Sequence, residues 1–120
     1  MSAQTYLSDS AATADALSLF AGTLGDAGPD VTPAEARRLA PRLYDATNRV
    51  CALQRRLAAQ RLADARLEAQ RRAVVQPLAA ACGQMRTSAQ AARRGDVRVL
   101  TSAAEELGLT LGLIRGAAAG

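Results

Sequence analysis

Apolar residues recur along this chain at intervals of three and four, with polar residues between them, in four successive stretches. Such spacing places the apolar side chains on one face of an α-helix. The pattern therefore predicts an all-α protein, a helical bundle that forms a single domain over residues 1–120. The predicted helices cover residues 9–24, 33–76, 77–94 and 97–115, with a loop over residues 25–31.

The second helix has the clearest start signal. Thr32, Pro33 and Glu35 occupy the N-cap, first and third helical positions of a capping box. Apolar residues then follow at alternating intervals of four and three, which is the seam of a coiled coil or an antiparallel bundle. These residues are Leu39, Leu43, Ala46, Val50, Leu53 and Leu57.

No Gly or Pro interrupts the chain from Arg42 to Gln76. The apolar seam weakens over residues 58–73 and resumes at Val74, and it then continues through Leu78, Ala81, Met85, Ala89 and Ala92. We interpret Pro77 as a kink within this helix, and the alternative is that Pro77 opens a new one. The sequence thus predicts one long, kinked, Arg-rich central helix.

The last predicted helix carries two apolar strips and a row of small residues. Gly95 is expected to end the preceding helix, and Asp96 to cap the last one. Apolar residues on more than one side indicate a buried helix. The small residues recur at intervals of four and predict close approach of a neighbouring backbone; they are Ala104, Gly108, Gly112 and Gly116.

Helix lengths then predict a second chain. A continuous helix over residues 33–94 would span ~93 Å, whereas the first and last helices would span only ~24 and ~28 Å. Two short helices cannot cover such a rod, so we expect coiled-coil-like packing in a homodimer. The predicted interface consists of Leu39, Leu43, Val50, Leu53, Leu57, Val74, Leu78, Met85, Gly108 and Gly112.

Charge is segregated along the chain. The first 35 residues contain five acidic residues and no basic one, and residues 37–98 contain fourteen of the fifteen arginines. Lysine is absent, and the net charge is +4. These arginines form either a solvated face or a docking surface for an anion or partner. The candidate docking residues are Arg55, Arg56, Arg61, Arg66, Arg71 and Arg72.

The sequence offers little catalytic chemistry. It has no His, so the usual proton shuttle and metal ligand are missing. Cys51 and Cys82 fit no zinc spacing, and we interpret both as small buried apolar residues, with a structural disulfide as the alternative. Asp64 and Glu68 lie among arginines that would keep both ionised in surface ion pairs. We therefore predict no enzymatic activity, cofactor, metal or small-molecule substrate.

The function that these features favour is a non-catalytic helical interaction protein, acting as an adaptor, scaffold or regulator. Its partner would be a second copy or another helical protein. Nucleic-acid binding through the Arg-rich helix is the alternative, although aromatic residues for base stacking are scarce. Membrane-surface binding is a weaker alternative because Ala inserts poorly. No signal peptide or membrane span is evident, which leads us to expect a cytoplasmic location.

Overall fold

The computed structural model describes residues 1–119, and within them every regular element is an α-helix. α1 packs against α2, α2 against α3, and α3 against α4. The result is an up-and-down bundle measuring 48 × 21 × 19 Å. This arrangement confirms the all-α class and the helical bundle. The helices are α1 (Ala3–Ala27), α2 (Pro33–Ala59), α3 (Ala65–Arg94) and α4 (Val97–Ala119).

Side-chain caps set the helix starts. The Thr32 side chain accepts a hydrogen bond from the Glu35 backbone N–H at 3.2 Å, as the capping signal predicts. α1 begins well before the predicted residue 9, because Ser2 caps it by accepting from the Thr5 backbone N–H at 3.1 Å. The longer α1 reaches further along the bundle than the sequence pattern suggests.

The predicted end of the third helix is also confirmed. Gly95 adopts a left-handed conformation with φ of 68°, and its N–H donates to the Ala92 carbonyl at 3.0 Å. The next amide, from Asp96, donates to the Ala91 carbonyl at 2.8 Å. A Cβ atom at Gly95 would lie 2.8 Å from the Arg37 guanidinium, so both the backbone and the space favour glycine here.

The long central helix is not present. The chain leaves α2 after Ala59, reverses over residues 60–64, and enters α3 at Ala65. α3 then continues through Pro77, which agrees with placing this residue inside a helix rather than at the start of a new one. No helix boundary falls between residues 76 and 77. Pro77 has no N–H to donate to the Ala73 carbonyl, and Ala73 is an exposed residue.

This reversal removes the length argument for a dimer. The four helices contain 25, 27, 30 and 23 residues, and at 1.5 Å per residue they are ~35–45 Å long. Helices of similar length cover one another, and a single chain therefore buries its own core. The largest fully buried side chains are Phe20, Leu43, Val50, Leu78 and Met85.

The two cysteines form a disulfide, contrary to our interpretation of them as unpaired apolar residues. Cys51 of α2 and Cys82 of α3 have Cα atoms 5.2 Å apart. The reversal brings them together because it turns two halves of a supposed single helix into antiparallel neighbours. The Arg86 guanidinium lies beside both sulfurs, at 3.7 Å from Cys51 and 3.8 Å from Cys82.

α4 is buried on one side only. Leu100 and Leu107 enter the core, whereas Leu109 is 77% exposed and Leu113 67% exposed. The expectation of a helix buried on several sides is therefore wrong for the single chain. None of the helices within residues 1–119 has a stretch long and apolar enough to span a lipid bilayer.

Candidate functional site

A groove of about 300 Å³ separates the two outer helices, α1 and α4, which scarcely touch each other. Its floor is formed by Leu57 of α2 and Val74 of α3. Leu17 of α1 lines one wall, and Leu111 and Ile114 of α4 line the other. The bundle therefore leaves an apolar concavity between two helices that do not pack closely.

Hydrogen bonds connect the outer helices where Tyr6 and the end of α4 line the groove. The Tyr6 hydroxyl donates to Gln70 Oε1 at 2.7 Å, and Gln70 Nε2 donates to the Ala118 carbonyl at 2.7 Å. Burial raises the pKa of the Tyr6 phenol, against the opposing effects of a Ser10 hydrogen bond and the Arg71 charge. The phenol is therefore a neutral donor, and Gln70 of α3 holds α1 and α4 together.

Arg115 is the charged side chain among the residues that line the groove. It lies on α4 one residue after Ile114, is exposed, and has no ion pair with a carboxylate of residues 1–119. The groove thus combines an apolar floor with one cationic group.

The outer face of α4 is a second candidate surface, and we define it as Leu109, Gly112, Leu113 and Gly116. Its two leucines are the most exposed large apolar residues in residues 1–119. Apart from adjacent residues and the backbone of their own helix, no atom lies within 4 Å of the position that a Cβ would take at these two glycines or at the neighbouring Gly108. The row of small residues on α4 predicts that a neighbouring backbone packs closely against it. Within one chain, no other helix occupies that position.

The reversal between α2 and α3 depends on an ionic network. Glu68 accepts from the Leu62 backbone N–H at 2.9 Å and from Arg71 Nε and Nη2 at 2.8 and 2.7 Å. Arg71 Nη1 donates to the Leu57 carbonyl at 2.8 Å, near the end of α2. Asp64 begins α3 by accepting from the Leu67 N–H at 2.9 Å. Together these groups satisfy backbone atoms that a turn without Gly would otherwise leave unpaired.

Arg71 is a structural residue in this arrangement. Its side chain is buried, unlike those of the other candidate docking arginines. The Arg71 hydrogen bonds, followed by the Leu62 N–H, hold the pKa of Glu68 well below its ordinary value. Glu68 is therefore a carboxylate at neutral pH, and Arg71 is fully engaged within the fold.

The other docking candidates gather near the reversal. Arg55, Arg56, Arg61, Arg66 and Arg72 are exposed and lie at the end of α2, in the turn, or in the first turns of α3. Arg56 forms an ion pair with Asp9 at 3.3 Å, and Arg72 pairs with Glu68 at 2.8 Å. Because α2 and α3 are antiparallel, the arginines near the start of α2 and the end of α3 lie at the opposite end of the bundle. Most arginines thus lie toward the two ends of the bundle, whereas Arg49 and Arg86 lie nearer its middle.

The predicted interface residues fall into different environments. Leu39 is partly buried against the core, and Leu53 borders a shallow groove between α1 and α2. Val74 lines the groove between α1 and α4, and Gly108 and Gly112 are exposed. The remaining five are buried in the core of the single chain, and Leu57 also lines the floor of the groove. These five are Leu43, Val50, Leu57, Leu78 and Met85.

Tyr6, Gln70 and Arg115 were not singled out from the sequence. They come from three different helices, and no local pattern connects them. The reversal did have a local signal, because Asp64 precedes an apolar residue at the third helical position and is a favourable N-cap. An N-cap residue alone is a weak signal for a reversal, because no Gly or Pro accompanies it.

The fold and these surfaces define the protein as an all-α four-helix bundle with a groove between its outer helices. Comparisons with protein-family models, curated proteins and solved structures find no match for this chain. Residues 1–119 contain no group of three or more His, Cys, Asp or Glu side chains that could hold a metal ion.

Proposed function

We propose that this chain is a non-catalytic helical interaction protein that self-associates through the outer face of α4. The observation that carries the proposal is the row of glycines at positions 108, 112 and 116, for which the single chain has no packing use. An interior helical glycine costs roughly 1 kcal/mol relative to Ala. A close-packed partner helix offsets that cost, because its backbone can approach only where side chains are absent.

The exposed leucines support the same surface. Leu109 and Leu113 are one helical turn apart and flank Gly112, so protruding and flat positions alternate on one face. A two-fold dimer brings the same patch of each copy together, and such a patch must be complementary to itself. A face with both leucine side chains and bare glycine backbone meets this requirement. A second copy of this chain is therefore the partner that we propose.

Light scattering coupled to size-exclusion chromatography over a range of concentrations tests this interface. We expect the wild-type chain to approach dimer mass as concentration rises, and Leu109→Glu to remain a monomer because a carboxylate would be buried against Leu and Gly. A wild-type chain that stays monomeric at the highest concentration would refute self-association.

A pair of glycine variants separates interface effects from helix propensity. Gly112 on α4 and Gly83 on α3 are both helical and both open around the Cβ position. Each Ala substitution should raise the free energy of unfolding of the monomer by up to about 1 kcal/mol. Only Gly112→Ala should also weaken the dimer. Equal dimer affinity in the two variants would contradict a role for the glycine row.

Nucleic-acid binding is the second candidate function, and it is suggested by the high arginine content of the chain. It depended on one continuous Arg-rich helix that follows a phosphate backbone. Most of the arginines lie instead toward the two ends of the bundle. Within residues 1–119, four of them pair with acidic side chains: Arg49, Arg56, Arg71 and Arg72. We therefore rank this candidate below self-association, and an electrophoretic shift at low salt would reverse the order.

The expected cytoplasmic location has no support in the fold. Disulfides such as Cys51–Cys82 form and persist in oxidising compartments and are rare in the cytosol. The disulfide therefore favours an environment outside the reducing cytosol.

A further inference from the structure

We propose that the groove between α1 and α4 binds a medium-chain carboxylic acid. Its carboxylate pairs with Arg115, and its alkyl chain lies against Leu57 and Val74 on the floor. The site is separate from the outer face of α4, so this inference does not depend on self-association.

The size of the groove sets the size of the ligand. A volume of about 300 Å³ lies at the lower end of the range for small-molecule sites. It corresponds to the volume of about ten liquid water molecules, at roughly 30 Å³ each. An unbranched acid with about ten carbon atoms is of this scale.

The lining determines the chemistry of the ligand. Leu17, Leu111 and Ile114 make the walls mainly apolar, which favours an alkyl chain over a fully polar molecule. Three residues of α1 add hydroxyl groups to one wall: Ser10, Thr13 and Ser18. The one charged lining residue is an arginine, whose planar guanidinium matches a carboxylate in a two-point contact. An anionic head and an apolar tail are therefore both required, and an alkylammonium ion has the wrong charge.

The hydrogen bonds at Tyr6 limit where the alkyl chain can lie. Tyr6, Gln70 and the Ala118 carbonyl satisfy one another and hold α1 against the end of α4. A ligand gains nothing by breaking these bonds. The alkyl chain is therefore expected to run away from Tyr6, along Leu17, and not to pass between the two helices at Gln70.

Calorimetric titration of the whole chain with decanoate, decanol and decylammonium tests the proposal. We expect saturable binding of one decanoate per chain, about tenfold weaker binding of decanol, and no detectable binding of decylammonium. Arg115→Gln should weaken decanoate binding about tenfold and leave decanol binding unchanged. Arg98→Gln is the matched control, because Arg98 is an exposed arginine of α4 that does not line the groove.

Two further measurements locate the ligand. Ala14 lines the groove from an exposed position on α1, so Ala14→Phe should fill the groove and abolish binding while circular dichroism reports an intact bundle. Methyl NMR spectra should show decanoate contacts at Leu17, Val74 and Ile114. This spectrum is recorded on the wild-type chain and decides the question even if Ala14→Phe does not fold.

Four results would overturn the proposal. They are no saturable binding, equal affinity for decanoate and decylammonium, equal effects of Arg98→Gln and Arg115→Gln, and NMR contacts confined to Leu109 and Leu113. The last result would place the ligand on the outer face of α4. A failure here leaves the dimer measurements untouched, because those measurements use different residues.

Discussion

The inner helices α2 and α3 and the outer helices α1 and α4 are attached to the molecule in different ways. α2 and α3 are joined by a disulfide, by the hydrogen bonds of Arg71 and Glu68 across their reversal, and by a shared core. α1 and α4 each pack on one inner helix and have little contact with each other. Gln70, which hydrogen bonds to Tyr6 and Ala118, is the main connection between them.

The inner helix pair therefore contributes mainly to stability, whereas the outer pair forms the candidate binding surfaces. The inner pair contains most of the fully buried large side chains and therefore holds the fold together. The outer pair leaves a groove on one side and exposed leucines on the other, so both candidate binding surfaces belong to it. We expect changes in the inner pair to alter mainly unfolding, and changes in the outer pair to alter mainly binding.

A truncation in each pair provides the largest contrast in stability. Leu78 on α3 is fully buried, whereas Leu7 on α1 is 57% exposed. Leu78→Ala should lower the free energy of unfolding by about 2–5 kcal/mol, because it removes buried methyl groups and leaves a cavity. Leu7→Ala should change it by less than about 0.5 kcal/mol. Urea unfolding followed by circular dichroism measures both, and similar losses would break the distinction between the pairs.

Removing the disulfide should have the next largest effect. In the chain-entropy model, a cross-link between residues 31 apart contributes roughly 3–4 kcal/mol by restricting the unfolded chain. The Cys51→Ser, Cys82→Ser double variant should therefore unfold at a lower urea concentration than wild type. A reducing agent should lower the wild-type midpoint to that of the variant and leave the variant unchanged. A wild-type midpoint that does not respond to the reducing agent would show that the inner pair is not cross-linked in solution.

Loss of the Arg71–Glu68 pair should lower the free energy of unfolding by a smaller amount, and that amount should depend on pH. The pKa of Glu68 is lower in the folded chain than its ordinary value of 4.5. The contribution of ionised Glu68 to the free energy of unfolding is therefore fully present above pH 4.5 and is lost as pH falls below that value. In Glu68→Gln, the free energy of unfolding should therefore fall less between pH 7 and pH 3 than in the wild-type chain. Urea unfolding at the two pH values measures this difference.

The arginine partners offer a matched control for that experiment. Arg71 is buried and also donates to the Leu57 carbonyl, whereas Arg72 is exposed and contacts Glu68 alone. Arg71→Gln should therefore destabilise the chain more than Arg72→Gln. Equal effects would mean that the reversal does not depend on the buried network.

Local sequence determined the parts of this protein that depend on neighbours within a helical turn or two. Alternating apolar spacing indicated the helices, Thr32 and Pro33 marked the start of α2, and Gly95 with Asp96 marked the boundary between α3 and α4. These signals suffice because helical periodicity and capping involve residues at most four positions apart. The all-α class followed from them alone.

The tertiary structure decided everything that joins distant residues. A reversal without Gly or Pro is stabilised by contacts between distant residues, because Arg71 reaches the Leu57 carbonyl and Leu62 enters the core. Once the chain reverses there, Cys51 meets Cys82, the predicted seam becomes the core of one molecule, and a groove opens beside Arg115. These outcomes depend on contacts between helices, whose free energies do not appear in the spacing of residues along any one of them.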